Sequence, residues 1–216
     1  MLIRHIAILC LLFPLGAGLA SAQETGPLQI ASTMVEAVVK ELTAQREALN
    51  SSHAIETGHP IVHRLIAPQV DFERLTRDAT GPAWMAASPA RRLALHTEFR
   101  TLLIHVIARL LTAYNEEKLE VVSSSAGAGA DEAVVRINVT PMHSPSEEPP
   151  GPMFAYYHLT AAGWKIFDFS SDGILLSKLY AGNFSVVLER EGGIDGLINA
   201  LQKRNARNAQ RLGEKF

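Results

Sequence analysis

Two hydrophobic periods divide the chain into helical and strand-like parts. Apolar residues that recur every three or four positions predict helices over 28–49, 61–66, 72–79 and 89–116. Short runs rich in β-branched and aromatic residues then predict strands at 119–121, 133–139, 153–160 and 164–169. The helical period returns after residue 174 and stops at Gly192-Gly193, and a last helix is expected over 195–212.

Two helix starts carry capping signals. Asp71 precedes the predicted helix 72–79, and its carboxylate is suited to accept a hydrogen bond from a first-turn amide. Ser88 and Pro89 open the long helix, because serine is a good cap and proline at the first helical position loses no hydrogen bond. Both signals fix where these helices begin.

Turn-rich segments separate the strands. The stretches 123–131 and 141–152 are expected to interrupt the sheet, and Ala162-Gly163 is expected to form a tight connection. The order of helices, strands and helices predicts an α+β domain. In this fold the helices pack on one face of a four-stranded antiparallel sheet.

The segment 101–113, TLLIHVIARLLTA, is the most apolar part of the long helix. At about 100° per residue, Thr101, His105 and Arg109 fall in one narrow stripe, and the rest of the circumference is apolar. An ordinary amphipathic helix needs an apolar arc of only about 100°. The wide arc indicates either a central helix packed on two sides or a helix that also lines a pocket for an apolar ligand.

The amino terminus has the composition of a secretory signal peptide. Arg4 precedes an apolar run over 6–19, and Ala20-Ser21-Ala22 provides the small residues that a signal peptidase requires. We therefore expect residues 1–22 to be removed, a single mature domain over 23–216, and a location in the bacterial periplasm. A retained membrane anchor is the alternative, but the apolar run is short for one.

Composition and motifs exclude several classes of function. Without Arg4 the chain has 19 basic and 22 acidic residues, a net charge of −3 that argues against nucleic acid as a partner. The only cysteine, Cys10, lies in the signal peptide, so the mature chain has no thiol for disulfides, catalysis or metal binding. His59 and His63 are four residues apart but lack a His-Glu-x-x-His pattern. Neither a metal nor a cofactor is expected.

The predicted last helix ends in a run of cations. These residues suit the negative end of the helix dipole, and a membrane-touching patch is the alternative interpretation. The run consists of Lys203, Arg204, Arg207 and Arg211.

The best acid–base set lies on the predicted sheet. Asp168, Tyr156 and His158 are candidates to converge in a cone-shaped cavity and abstract a proton from a buried substrate. A structural role for Asp168, hydrogen-bonded to backbone amides near the turn at 170–173, is the favoured interpretation. No catalytic residue is therefore assigned.

Two ordered blocks resemble the MlaC, or toluene-tolerance, family. The first is GPAWMAASPARRLALHTEFRTLLIHVIARLLTAY at 81–114, in which a Trp and a Pro precede a long helix with Phe-Arg-x-Leu-Leu. The second is AGWKIFDFSSDGILLSKLYAGNFSVVLEREGGIDGLINAL at 162–201, with its Gly-Trp-Lys and Gly-Ile-Asp-Gly-Leu-Ile motifs. The Gly-Pro-Ala-Trp run at 81–84 is also similar to a hopanoid-associated branch of the family.

The resemblance implies a periplasmic carrier that is not an enzyme and holds phospholipid acyl tails in an apolar pocket between helices and sheet. Such a carrier shuttles lipid between an outer-membrane lipoprotein–porin complex and an inner-membrane ABC transporter with an MCE protein, and so serves outer-membrane lipid asymmetry. The alternatives are a carrier of hopanoid-type lipid and a small-molecule enzyme that uses Asp168 and Tyr156. Carried over by position, the lipid-binding residues are Leu103, Val106, Ile107, Leu110, Tyr114, Ile137, Tyr156, Ile166, Phe167, Leu175, Leu179, Tyr180 and Phe184.

Overall fold

The computed structural model describes residues 26–142 and 151–213. The predicted signal peptide, residues 1–22, lies outside these ranges. The helices are α1 (Pro27–Ala44), α2 (Arg46–Leu49), α3 (Ala54–Ile61), α4 (Phe72–Thr80), α5 (Pro82–Ala86), α6 (Pro89–Thr112), α7 (Leu176–Arg190) and α8 (Gly193–Gly213). The strands are β1 (Lys118–Ala126), β2 (Glu132–Thr140), β3 (Met153–Thr160), β4 (Gly163–Ser171) and β5 (Ile174–Leu175).

The first helical region differs from its prediction at two places. The backbone leaves the helical region at Gln45, with φ −109° and ψ 18°, so the helix predicted over 28–49 is divided into α1 and α2. The helix predicted over 61–66 begins earlier as α3 and continues as a π-helical turn, Val62–Ile66. Gly58 lies in this extension and allows it to approach α6 closely, since a Cβ there would lie 2.8 Å from the carbonyl oxygen of Ala108.

The capping predictions for α4 and α6 are confirmed. The Asp71 carboxylate accepts the amide of Arg74 at 2.9 Å, and the Ser88 hydroxyl accepts the amide of Arg91 at 3.4 Å. Helix α6 ends at Thr112, before the predicted residue 116. Glu116 has a left-handed φ of 61°, a conformation that no α-helix can pass through.

The strands form an antiparallel meander in the order β1-β2-β3-β4-β5. The prediction that the sheet stops at residue 123 was wrong, because β1 resumes pairing with β2 after a bulge that follows Val121. Cross-strand hydrogen bonds override the weak strand propensity of this serine-rich stretch. The fifth strand, β5, has only two residues and therefore no period to detect. The tight connection before β4 is confirmed, with Gly163 at φ 91°.

One face of the sheet meets the helices and forms the core. Alternate residues of β2 and β3 on this face are buried: Ala133, Val135, Ile137, Ala155 and Tyr157. Helix α1 contacts β1 and β2, α4 and α7 contact β4, and α6 packs against α3, α4 and α8. The predicted α+β architecture, with helices covering one face of an antiparallel sheet, is confirmed.

Helix α6 is a central helix. The four consecutive residues 102–105 are all buried, and they point in every direction around the helix axis. His105, placed in the polar stripe by its period, is only 8 % exposed, whereas Leu110 on the predicted apolar arc is 65 % exposed. Packing on several sides therefore accounts for the hydrophobicity of the middle of this helix. Among the described residues no helix combines the length and hydrophobicity of a membrane span.

Candidate functional site

An apolar groove opens between α1 and the start of β1. Its volume is about 500 Å³, within the roughly 300 to 1,000 Å³ typical of ligand pockets. Val35 and Val39 of α1, Leu119 of β1 and Met142 supply its apolar walls. The groove is open to solvent along one side, so an elongated apolar molecule can reach these side chains without first displacing a helix.

Tyr114, just after α6, also lines the groove. Its amide donates to the carbonyl of Leu111 at 3.3 Å, which continues the last turn of α6. The same ring lines a crevice of about 10 Å³ beside Leu42 and Leu49, just large enough for one water molecule. Burial, together with the nearby Glu117 carboxylate, raises the pKa of Tyr114. The Tyr114 hydroxyl is therefore neutral at neutral pH, and the residue lines both the groove and the crevice.

Charged residues surround the mouth of the groove. Lys40 and Lys118 lie on opposite sides of it, on α1 and β1. Glu117 accepts the amide of Asn115 at 2.8 Å, and Glu116 pairs with Arg46, so these carboxylates hold the α6–β1 connection in place. An apolar floor with a polar rim suits an amphipathic ligand better than a wholly polar one.

The sequence-predicted lipid-binding residues do not all lie together. Five of them are buried in the core, namely Leu103, Ile137, Ile166, Tyr180 and Phe184. Tyr180 and Phe184 form an aromatic cluster with Phe99, with ring centroids 4.7, 5.0 and 5.5 Å apart. Burial raises the pKa of Tyr180 and keeps its hydroxyl neutral. This cluster joins α6 to α7.

The remaining predicted residues lie in three other environments. Val106, Ile107 and Leu175 are half-buried, and Tyr114 lines the groove. Leu110 and Leu179 are exposed, at 65 % and 53 %.

Tyr156 and Phe167 lie on the face of the sheet that points away from the core. Tyr156 alternates along β3 with the buried Ala155 and Tyr157, so its side chain points to the other face. Its ring centroid lies 6.2 Å from that of Phe167. The structure therefore brings one predicted residue, Tyr114, to the groove.

Sequence analysis did not single out Val35 and Val39. The apolar period that predicts the first helix includes Val38 and Leu42, which are buried in the core. Val35 and Val39 form a second stripe at the same spacing of four, on a neighbouring face of the helix. A helix with two apolar stripes was the available signal that this element contacts something besides the core.

The candidate acid–base residues each have a different partner. Asp168 accepts the Ser177 hydroxyl at 2.5 Å and the amides of Ser177 and Phe169 at 3.1 and 2.8 Å. The Tyr156 hydroxyl lies 3.3 Å from Ser170, and His158 lies 2.9 Å from Asp71. These side chains do not converge on one cavity. Asp168 instead joins β4 to the first turn of α7, where a carboxylate also complements the helix dipole.

A histidine pair lies between α3 and α6. The Nε2 atom of His59 is 3.3 Å from Nδ1 of His105, and the His63 ring lies 6.3 Å from that of His59. Burial lowers the pKa of both His59 and His105 below the ordinary value of 6.5, and the neighbouring His63 and His59, respectively, lower each further. Both rings are therefore neutral in the folded protein at neutral pH.

This pair predicts an acid-sensitive fold. Because the folded-state pKa values are lowered, the unfolded chain takes up protons first, and stability present above pH 6.5 is lost as the pH falls below it. We expect the free energy of unfolding, measured by urea denaturation, to fall between pH 7.5 and 5. The fall should be smaller in the double variant His59→Gln/His105→Gln. An equal fall in both proteins would show that the pair does not contribute.

The fold is thus an α+β domain with an apolar groove beside its first helix. A family model described as MlaC protein matches residues 32–203, most of the chain. The protein belongs to the MlaC family. A search of the curated proteins gave no match.

A solved structure has the same architecture. It is the phospholipid-binding protein from Ralstonia solanacearum in complex with a phospholipid, at 1.53 Å resolution. The two share 26 % sequence identity with a TM-score of 0.71, and the match covers 86 % of this chain and 99 % of that one. The similarity therefore extends over the whole helix–sheet arrangement.

Proposed function

We propose that this protein is a periplasmic carrier of phospholipid. The observation that carries the proposal is the apolar groove of about 500 Å³ with a charged rim, in a fold similar to that of a protein solved with a phospholipid. The chain's membership of the MlaC family supports the same function. The groove receives the acyl tails, and the head group stays at the rim, where Lys40 can reach its phosphate and Lys118 can do so by exchanging its ion pair with Glu120 at 3.3 Å.

The acyl tails continue from the groove into the space between helices and sheet. They pass Tyr114 and follow α6, on which Ile107 lies about two turns earlier on the same face. Ile107 is half-buried, so this face leads from the groove towards the core. Helix α1 contacts the sheet at β1 and β2. The proposal therefore requires α1 to move outward to admit tails that the open groove alone does not hold.

The buried Tyr157 hydroxyl supports the proposal that the core rearranges to admit lipid. It is buried on the helix-facing side of the sheet and has no hydrogen-bond partner among the described residues. Unpaired buried hydroxyls are rare, because each costs about 1 to 3 kcal/mol. A lipid that enters between sheet and helices brings ester oxygens, which can accept this hydroxyl.

A carrier needs no chemistry. Each methylene withdrawn from water contributes about 0.8 kcal/mol, so two long tails represent on the order of 20 kcal/mol that free lipid would lose in the periplasm. Burial in a protein offsets that loss. Asp168, Tyr156 and His158 have separate partners, so these three side chains do not form the acid–base set that the enzymatic alternative requires.

The partners follow from the family. We propose that the carrier exchanges phospholipid with an outer-membrane lipoprotein–porin complex and with an inner-membrane ABC transporter that includes an MCE protein. This exchange maintains the lipid asymmetry of the outer membrane. Secretion through the predicted signal peptide, residues 1–22, delivers the protein to the compartment between these complexes.

The test is to identify the lipid that purifies with the protein. The full chain is expressed in a Gram-negative host, purified from the periplasm, and analysed by native mass spectrometry and by mass spectrometry of extracted lipid. We expect a mature chain that begins at Gln23 and carries phospholipid in a fixed ratio. A hopanoid-type lipid would contradict the assigned cargo, absence of bound lipid would contradict the carrier function, and retention of residues 1–22 would contradict the processing.

A further inference from the structure

Helix α8 carries a stripe of cations on its exposed surface. The stripe, hereafter the α8 cationic stripe, consists of Lys203, Arg204, Arg207 and Arg211. All four are exposed, and at about 100° per residue they fall within an arc of about 100°. The buried residues Leu197, Ile198 and Leu201 lie outside this arc and attach α8 to the core. The four cations therefore take no part in attaching α8 to the core.

The stripe has no charge partner in the part of the chain that the structure describes. Other arginines of the chain form ion pairs, such as Arg64 with Glu41 and Arg91 with Asp195. None of the four stripe residues pairs with a carboxylate within residues 26–142 and 151–213. The sequence from Gly196 to Gly213 contains no acidic residue. Positive charge is thus concentrated on one surface of a chain whose overall charge is negative.

The packing of α8 on α6 extends the positive surface. Arg91 contacts Asp195 at 2.5 Å, and Asn205 donates to the Glu98 carbonyl at 2.9 Å, so contacts advance along both helices in the same direction. The helices therefore run parallel, and the carboxy-terminal half of α8 lies beside the same half of α6. That half of α6 presents the exposed Arg109, which also has no ion pair among the described residues.

Compensation of the helix dipole does not account for the whole stripe. Favourable interactions with the negative helix end are confined to the last turn. Arg211 lies in the last turn of α8, but Lys203 and Arg204 lie more than two turns before Gly213. Three of the four cations, all but Arg211, therefore lie outside the turn in which the dipole explains them.

We infer that the α8 cationic stripe, with Arg109, docks the protein on bilayer surfaces that contain anionic phospholipid. Stable protein interfaces are built around an apolar core, whereas the exposed positions of α8 between Asn199 and Arg211 are only Asn, Gln, Lys, Arg and Ala. An exposed row of cations on one helix is complementary to negative charge that is spread over many head groups of a bilayer surface. Juxtaposed Lys and Arg residues attract such a surface at short range.

The stripe and the groove belong to different parts of the molecule. The groove lies between α1 and β1, whereas the stripe lies on the last helix. Docking holds the carrier close to the membrane while exchange with a membrane complex occurs. It concentrates the protein in two dimensions but does not itself move lipid.

The test is co-sedimentation of the mature protein with vesicles of phosphatidylcholine, with and without phosphatidylglycerol. We expect binding only to the vesicles that contain phosphatidylglycerol, and weaker binding as the salt concentration rises. Each cation near an anionic surface contributes about a fivefold increase in partitioning, so Arg204→Gln/Arg207→Gln should lower it about thirtyfold. Both side chains are exposed, and circular dichroism verifies that the variant is folded.

A matched control separates the stripe from net charge. Arg77→Gln/Arg136→Gln removes two exposed cations from α4 and β2 and should leave vesicle binding nearly unchanged. Equal loss in both double variants, or equal binding of the parent to both kinds of vesicle, would overturn the inference. Lipid that purifies with the variants is measured in parallel and should be unchanged by the stripe variant. Vesicle binding therefore tests the docking surface, and the content of co-purified lipid tests the carrier function separately.

Discussion

Replacement of Val39 by tryptophan is expected to abolish most lipid binding while leaving the fold intact. Val39 is half-buried on α1 and lines the groove, so the indole of Val39→Trp extends into the open volume of about 500 Å³. Phospholipid that purifies with the protein should fall about tenfold or more, which corresponds to about 1.4 kcal/mol of binding free energy. The measurement is phosphorus content per mole of protein.

The stability of the lipid-free variant distinguishes a groove from a packed core. Overpacking a filled core costs about 1 to 3 kcal/mol, whereas a side chain added to open space costs little. The free energy of unfolding should therefore stay within about 1 kcal/mol of the parent value when both proteins are delipidated. Delipidation is essential because bound ligand itself raises apparent stability.

Val122→Trp is the matched control. Val122 is 48 % exposed on β1 and does not line the groove, so the same change in size is made outside the proposed site. Lipid content should remain at the parent level in this variant. Undiminished lipid in Val39→Trp would place the acyl tails elsewhere, and marked destabilisation of the delipidated variant would show that Val39 belongs to the core.

Replacement of Asp168 by alanine is expected to cost about 3 kcal/mol of stability. The carboxylate is 4 % exposed and accepts three hydrogen bonds, from the Phe169 amide and from the amide and hydroxyl of Ser177. Alanine leaves these donors buried without an acceptor. Because two of the donors lie in the first turn of α7, hydrogen exchange should increase most in that helix.

Asp168→Asn should be milder, at about 1 kcal/mol, because the amide oxygen still accepts both backbone amides. Asp131→Ala, which removes an exposed carboxylate from the turn before β2, is the control and should be nearly neutral. Urea denaturation measures all three variants. A cost below about 1 kcal/mol for Asp168→Ala would contradict the anchoring role. A substrate conversion that disappears in a stable Asp168→Asn variant would instead support the enzymatic alternative.

The two proposed binding surfaces differ in their chemistry. The groove between α1 and β1 offers apolar surface with charge only at its rim, and therefore suits the acyl tails and head group of one lipid. The α8 cationic stripe offers charge without apolar surface and suits many head groups at once. Val39→Trp tests the first site and Arg204→Gln/Arg207→Gln the second, and neither variant changes the other site.

Local chemistry alone determined most of the secondary structure. The hydrophobic period fixed the long helix and the positions of four strands, since side chains that face the core recur with the repeat of the backbone. Capping by Asp71 and Ser88 was predictable because it depends on residues three positions apart. The family, too, was identifiable from two ordered blocks, and the match over residues 32–203 confirms that identification.

Only the tertiary structure decided which apolar residues are enclosed and which remain accessible. Period alone placed His105 among polar residues and Leu110 on the apolar arc, but neighbouring helices bury the former and leave the latter exposed. The helical extension around Gly58 depends on the approach of α6, and the pairing of residues 123–126 depends on β2. The groove likewise exists only because α1 lies beside β1. Whether a side chain is buried depends on which elements pack around it, whereas the sequence gives directly only the order of residues within each element.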